Sequence, residues 1–188
     1  MSKTVSFVLS MILIFTTTAN TSKARENKKH LIIEAIQQTN FDRAVLDICI
    51  ANTSLCKILT DRRIYTYLRK HHKRGLYAIA FKESSFKYKI GFRNKHDRGY
   101  FQINTKIWSP KVIREKFGIP TTIWSLTHNP YIQAKVALRV WLYNTALFLK
   151  TYRKYPKNLA EYASLYHNPS KISRKYAQKI KKVIFKTR

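Results

Sequence analysis

Apolar side chains recur at helical spacing along most of the chain, and the residues between them are types that start and stop helices. His30–Gln38 carries Leu31, Ile32, Ala35 and Ile36 on one stripe. Asp42–Ile50, Leu55–Leu59 and Arg62–Lys70 follow, separated by Asn, Thr, Ser and Asp. Leu76–Phe86 reads as a further helix, Asn94–Arg98 as a polar loop, and Pro110, Pro120 and Pro130 each mark a helix start or a break. Tyr131–Leu149 is apolar on nearly every side, so it is expected at the centre of the fold. Lys135 and Arg139 interrupt it, which argues against a membrane span. Ala160–His167 and Ser173–Phe185 complete an all-α body with almost no strand and with neither an internal repeat nor a flexible linker.

The first residues have a different pattern. Lys3 precedes a short apolar run, Val5–Phe15, and Ser22-Lys23-Ala24 offers small residues at both cleavage-determining positions, with an alternative ending at Ala19. The run is shorter than the roughly 20 residues that cross a bilayer. Residues 1–24 are therefore expected to be a signal peptide, an uncleaved anchor being the alternative, and the chain is expected to be exported to the periplasm or cell envelope.

Composition narrows the chemistry. In 188 residues there are 37 Lys and Arg against 9 Asp and Glu, a net charge of +28, and a hydrophobic share of 45% that can bury a core. Four glycines leave no phosphate-cradling loop, which argues against nucleotide-dependent chemistry. In a cytosolic chain such a charge would first suggest nucleic acid. Outside the membrane the polyanions are envelope polymers and lipid headgroups, and no nucleic-acid partner is expected. The one dense basic run, Arg69–Arg74, reads as a solvated helix end or connection. Cys49 and Cys56 are the only cysteines. On one straight helix they would lie about 10 Å apart, too far to bond. A turn at Ala51–Ser54 would allow a bridge, and two buried thiols remain the alternative. The six histidines show no metal-ligand spacing, so neither metal nor cofactor is expected.

On a helical wheel Leu76, Ile79, Ala80, Glu83 and Phe86 share one face, which sets a carboxylate within an apolar stripe. Such a group either finds a cation or has its pKa raised by desolvation, and a carboxyl that stays protonated is what a general acid needs. Glu83-Ser84-Ser85-Phe86 is followed by Gly99-Tyr100-Phe101-Gln102-Ile103-Asn104, then by Tyr166-His167-Asn168-Pro169-Ser170 ahead of a helix with Tyr176 and Ile180. Asn129-Pro130 precedes the long apolar helix. These ordered blocks resemble the soluble lytic transglycosylases and goose-type lysozymes, whose signature is Glu-Ser-x-Phe and, downstream, Gly-x-x-Gln-x-Asn. The third block is similar to the Tyr-His-x-Pro variant of small transglycosylases that accompany secretion, pilus and conjugation machines. Tyr100 stands where Leu is more usual, and the third block lacks the glycines of the longer form, so sugar contacts near Asn168 are expected to differ.

The resemblance covers roughly residues 75–185 and implies a lysozyme-like helical domain at 73–188, with 25–72 as an added N-terminal helical layer. It implies peptidoglycan glycan strands as substrate, with an envelope-spanning assembly as the setting, and Glu83 as acid and then base. It further implies that Tyr166 hydrogen-bonds Glu83, and that Ser84, Tyr100, Gln102, Asn104, Tyr166 and Asn168 contact substrate. Plainer roles exist: a core aromatic for Tyr166, a loop-capping amide for Gln102. Asp97 is the candidate for positioning an attacking water, as a goose-type hydrolase would need, or else a solvated loop carboxylate. The alternatives to a transglycosylase are that hydrolase, an inactive wall-binding protein and a basic polyanion-binding protein.

Overall fold

A computed structural model describes residues 26–87, 90 and 95–186. The leader at 1–24 and Asn94 of the polar loop lie outside the described residues. Helix α1 covers 26–37. It is followed by α2 (Phe41–Ala51), α3 (Thr53–Leu59), α4 (Arg62–Ser84), the short strands β1 (Asp97–Arg98) and β2 (Ile103–Asn104), α5 (Pro110–Phe117), α6 (Ile123–His128), α7 (Pro130–Tyr152), α8 (Leu159–Ser164) and α9 (Arg174–Lys186). Among the described residues the fold is all-α apart from one antiparallel two-strand ribbon that pairs Asp97 with Asn104 and Arg98 with Ile103.

The polar punctuation is capping chemistry. Asn40, Asn52, Asp61, Ser109, Asn129 and Asn158 each accept hydrogen bonds from the otherwise unpaired N–H groups of a helix's first turn. Thr122 and Ser125 form a reciprocal capping box on α6. Pro110 and Pro130 occupy first-turn positions, where a missing N–H costs nothing. Asn52 both ends α2 and starts α3, and this break lets Cys49 and Cys56 form a disulfide with Cα atoms 4.4 Å apart.

Helix α7 runs through the centre. Trp141 is fully buried, its indole N–H donating to the Tyr162 carbonyl of α8 at 2.7 Å. Across from it α4 passes so closely that a Cβ on Gly75 would lie 2.3 Å from the Trp141 ring. Arg139, expected only as an interruption, is buried in an ion pair with Asp47 of α2.

The sequence pattern places a break between Lys70 and Leu76, with Arg69–Arg74 as a helix end. The structure has no break there. Leu68, His72, Gly75, Leu76 and Ile79 keep helical spacing along the buried face of a single 23-residue α4, while Arg69, Lys70 and Lys73 project outward. The division after His72 therefore falls inside one helix. Both α2 and α3 pack against α7, so the N-terminal layer shares the core of the remainder.

Candidate active site

Glu83 lies in the last turn of α4, where unpaired carbonyl dipoles already disfavour a negative charge. The chain then bends sharply through two non-glycine residues in the left-handed region, Ser85 (φ 53°) and Phe86 (φ 56°). Phe86 is thus beyond the helix rather than on it. Its ring is nonetheless buried against Tyr77 and Phe81, with centroids 5.0 and 5.6 Å away, and this contact holds the bend.

The carboxyl of Glu83 opens into a groove of about 440 Å³. Asp97, Gln102 and Asn104 of the ribbon line one side, and Tyr166, His167 and Pro169 of the segment after α8 line another. A wall of Ile107, Trp108, Val112, Tyr143 and Leu147 extends the groove. Trp108 stacks on Phe117 at 5.5 Å and meets Tyr143 edge-on at 5.6 Å, so this wall is a rigid aromatic surface suited to the apolar face of a sugar ring. Nothing in the sequence singled out that wall, because its residues form no motif and meet only where Trp108 and Phe117 pack against Tyr143 of α7.

Burial pushes the Glu83 carboxyl above the usual carboxylate range, and the negative charge of Asp97 adds to the rise. A hydrogen bond from Tyr176 opposes it first, followed by the charges of Lys82 and His167. The Tyr176 hydroxyl donates to Glu83 Oε1. Burial, followed by the charge of Glu83, holds the Tyr176 pKa well above the usual phenolic value, so this hydroxyl stays a donor. Lys82 Nζ lies 5.0 Å from the Tyr176 ring centroid and the His167 ring stacks on it at 5.2 Å, which fixes the ring's plane.

Tyr166 does not make the bond to Glu83 that the resemblance implies. Its hydroxyl donates to the Phe101 carbonyl at 2.8 Å, and Asn144 Nδ2 donates to its carbonyl and to that of Leu165. Tyr166 still lines the groove, but it holds the ribbon turn in place, and Tyr176 partners the acid.

Three other expected substrate contacts are not among the residues that line the groove. Ser84 is 2% exposed, and its hydroxyl donates to the Ala80 carbonyl within α4, because a helix-terminal Ser finds the carbonyl four residues back. Tyr100 is buried; its N–H donates to Gln133 Oε1 at 2.8 Å. Asn168 accepts from the Ser170 N–H and hydroxyl, forming a local turn, and does not line the groove. Gln102 and Asn104 do line it. Gln102, with φ 48°, donates to the Gly99 carbonyl at 2.7 Å, and Asn104 accepts from the Lys106 N–H at 3.0 Å. Gly99 is required here: φ is 68°, and a Cβ would lie 2.3 Å from the Gln133 amide.

Among the described residues no group of three or more His, Cys, Asp or Glu gathers as a metal site. No helix among them is long and apolar enough to cross a membrane. No protein-family model, no curated protein and no solved structure matches the chain.

Proposed function

We propose that this chain is an exported peptidoglycan lytic transglycosylase that opens the wall locally, in the service of an envelope-spanning assembly. The observation that carries the reading is a single desolvated carboxyl, Glu83, raised above the usual carboxylate range in a groove with an aromatic wall. As acid, Glu83 protonates the oxygen between a muramic residue and the next glucosamine, and the glycosidic bond breaks. The carboxylate so formed accepts the proton of the muramic 6-hydroxyl as that oxygen bonds to its own anomeric carbon. An intramolecular nucleophile has a high effective concentration, so one carboxyl serves both steps.

A second reading has one observation in its favour. Asp97 lines the same groove and is close enough for its charge to act on Glu83. A second carboxylate can activate water, which would make the chain a hydrolase. Mass spectrometry of the material released from purified sacculi separates the two. Anhydromuramic ends support transglycosylation. Ends that borohydride reduces assign hydrolysis. Binding to sacculi with no release from the wild-type chain assigns an inactive wall-binding protein.

A further inference from the structure

The turn at 167–170 has two faces. His167 and Pro169 line the groove that holds Glu83, while Ser170 lines a separate cavity, also of about 440 Å³. Phe148 and Tyr152, with ring centroids 5.1 Å apart, wall this second cavity. Its rim carries Lys154, Lys157, Lys171 and Arg174. Among the described residues none of these four cations sits in an ion pair. The one acid lining the cavity, Glu161, already accepts the Lys157 backbone N–H at 2.8 Å.

A concave site with four open cations and an aromatic wall suits a short chain that bears both carboxylates and small apolar groups. Phe148 is 3% exposed, so a flat phospholipid surface would reach the four cations but not that ring. We propose that this cavity binds the carboxylate-bearing peptide arms of a glycan strand, one turn away from the bond that Glu83 cleaves. The proposal rests on the peptidoglycan reading above. A strand seated in the groove would set an arm across the 167–170 turn, and the cavity would make the protein favour strands that still carry peptides over strands stripped of them.

The test uses the full chain and Lys154→Ala/Lys171→Ala, two exposed positions outside the groove. With peptide-bearing strands the double variant should show a KM raised by about tenfold, as expected when two partly solvated charge contacts are lost. With strands stripped by an amidase its rate should equal that of wild type. Calorimetry with the released peptides should show binding to wild type that weakens with added salt and with the double substitution. Equal behaviour of the two proteins on both strands overturns the proposal. So does a wild-type chain that binds anionic phospholipid vesicles or inorganic phosphate through these lysines but not the peptides. If wild type cleaves neither strand, the catalytic reading fails, and calorimetry still decides the cavity on its own.

Discussion

The region around Asp47 and the region around Glu83 each withdraw a carboxylate from water, and they treat it in opposite ways. Asp47, 8% exposed on α2, accepts from Arg139 Nε at 2.9 Å and Nη2 at 2.5 Å, and from Arg43 Nε at 2.9 Å. The remaining Arg139 donor, Nη1, reaches the Lys135 carbonyl at 2.9 Å. Two guanidinium groups thus pair with that carboxylate, and the Arg139 pair binds α2 to α7. Among the described residues no guanidinium pairs with Glu83, which accepts the Tyr176 hydroxyl and lies within reach of the charges of Lys82, His167 and Asp97. The first arrangement stabilises helix packing. The second leaves a proton that can be given away, at some cost to stability, which is the usual trade at a reactive site.

Substituting Glu83 breaks the contrast most severely. Glu83→Gln keeps the shape and removes the proton, so release of muropeptides should fall by on the order of 10²–10⁴-fold. Stability should move the other way. A carboxyl whose folded pKa is raised stabilises the fold fully below its unfolded value and loses that contribution as pH rises through the folded value. Thermal melts should therefore show Glu83→Gln more stable than wild type at neutral pH, with the gap closing in acid. Wild-type activity should decline over the same rise in pH. A variant with the wild-type rate, or a wild-type rate that climbs steadily into alkaline pH, would remove Glu83 from the chemistry.

At Asp47 the expected loss is structural. Asp47→Asn or Arg139→Met leaves a buried partner uncompensated and should cost about 3–5 kcal/mol in denaturant unfolding. Asp47→Leu with Arg139→Met should recover most of that, because neither charge is then stranded. Activity per folded molecule should hardly change. A large drop in turnover in the stable double variant would mean that the two regions are not independent.

The two tyrosines sharpen the comparison at smaller scale. Tyr176→Phe removes a hydrogen bond to the acid, so turnover should drop about tenfold. That bond favours ionised Glu83, so without it the fall in activity should move to higher pH. Tyr166→Phe instead leaves the Phe101 carbonyl without its donor, and should cost about 1–1.5 kcal/mol of stability while the pH profile stays in place. The reverse pattern would restore Tyr166 as the partner of Glu83. The smallest effect is expected from Asp97→Asn, which should keep most activity. Removing its charge eases ionisation of Glu83, so the decline should begin at slightly lower pH. A dead Asp97→Asn with reducible products would favour the hydrolase.

The helices were legible because their causes are local. A cap reaches its N–H within three residues, as Asn40 does at Arg43, and an apolar stripe repeats within two turns. At Arg69–Arg74 a dense run of charge imitates a helix boundary, although Leu68, His72 and Leu76 continue the buried spacing. Glu83 stands out in the sequence through the ordered blocks that begin at Glu83-Ser84-Ser85-Phe86, since a carboxylate within an apolar stripe is by itself equally an ordinary paired glutamate. Ser84, its neighbour in the motif, points into its own helix, and no pattern of residue types distinguishes these two directions.

By itself the sequence determined an all-α fold, a central α7, the helix starts at Asn, Ser, Thr and Asp, and Glu83 as the carboxyl to watch. Only the tertiary structure decided which tyrosine meets it, and that Arg139 is matched by Asp47. The bond from Tyr176 to Glu83 spans 93 positions, and the Arg139–Asp47 pair spans 92. Contacts at that separation depend on how α4, α7 and α9 pack. Tyr166 and Tyr176 are both buried aromatics near one groove. Which hydroxyl meets the carboxyl follows from the packing of α9 on α4 and α8, and no local propensity encodes that packing.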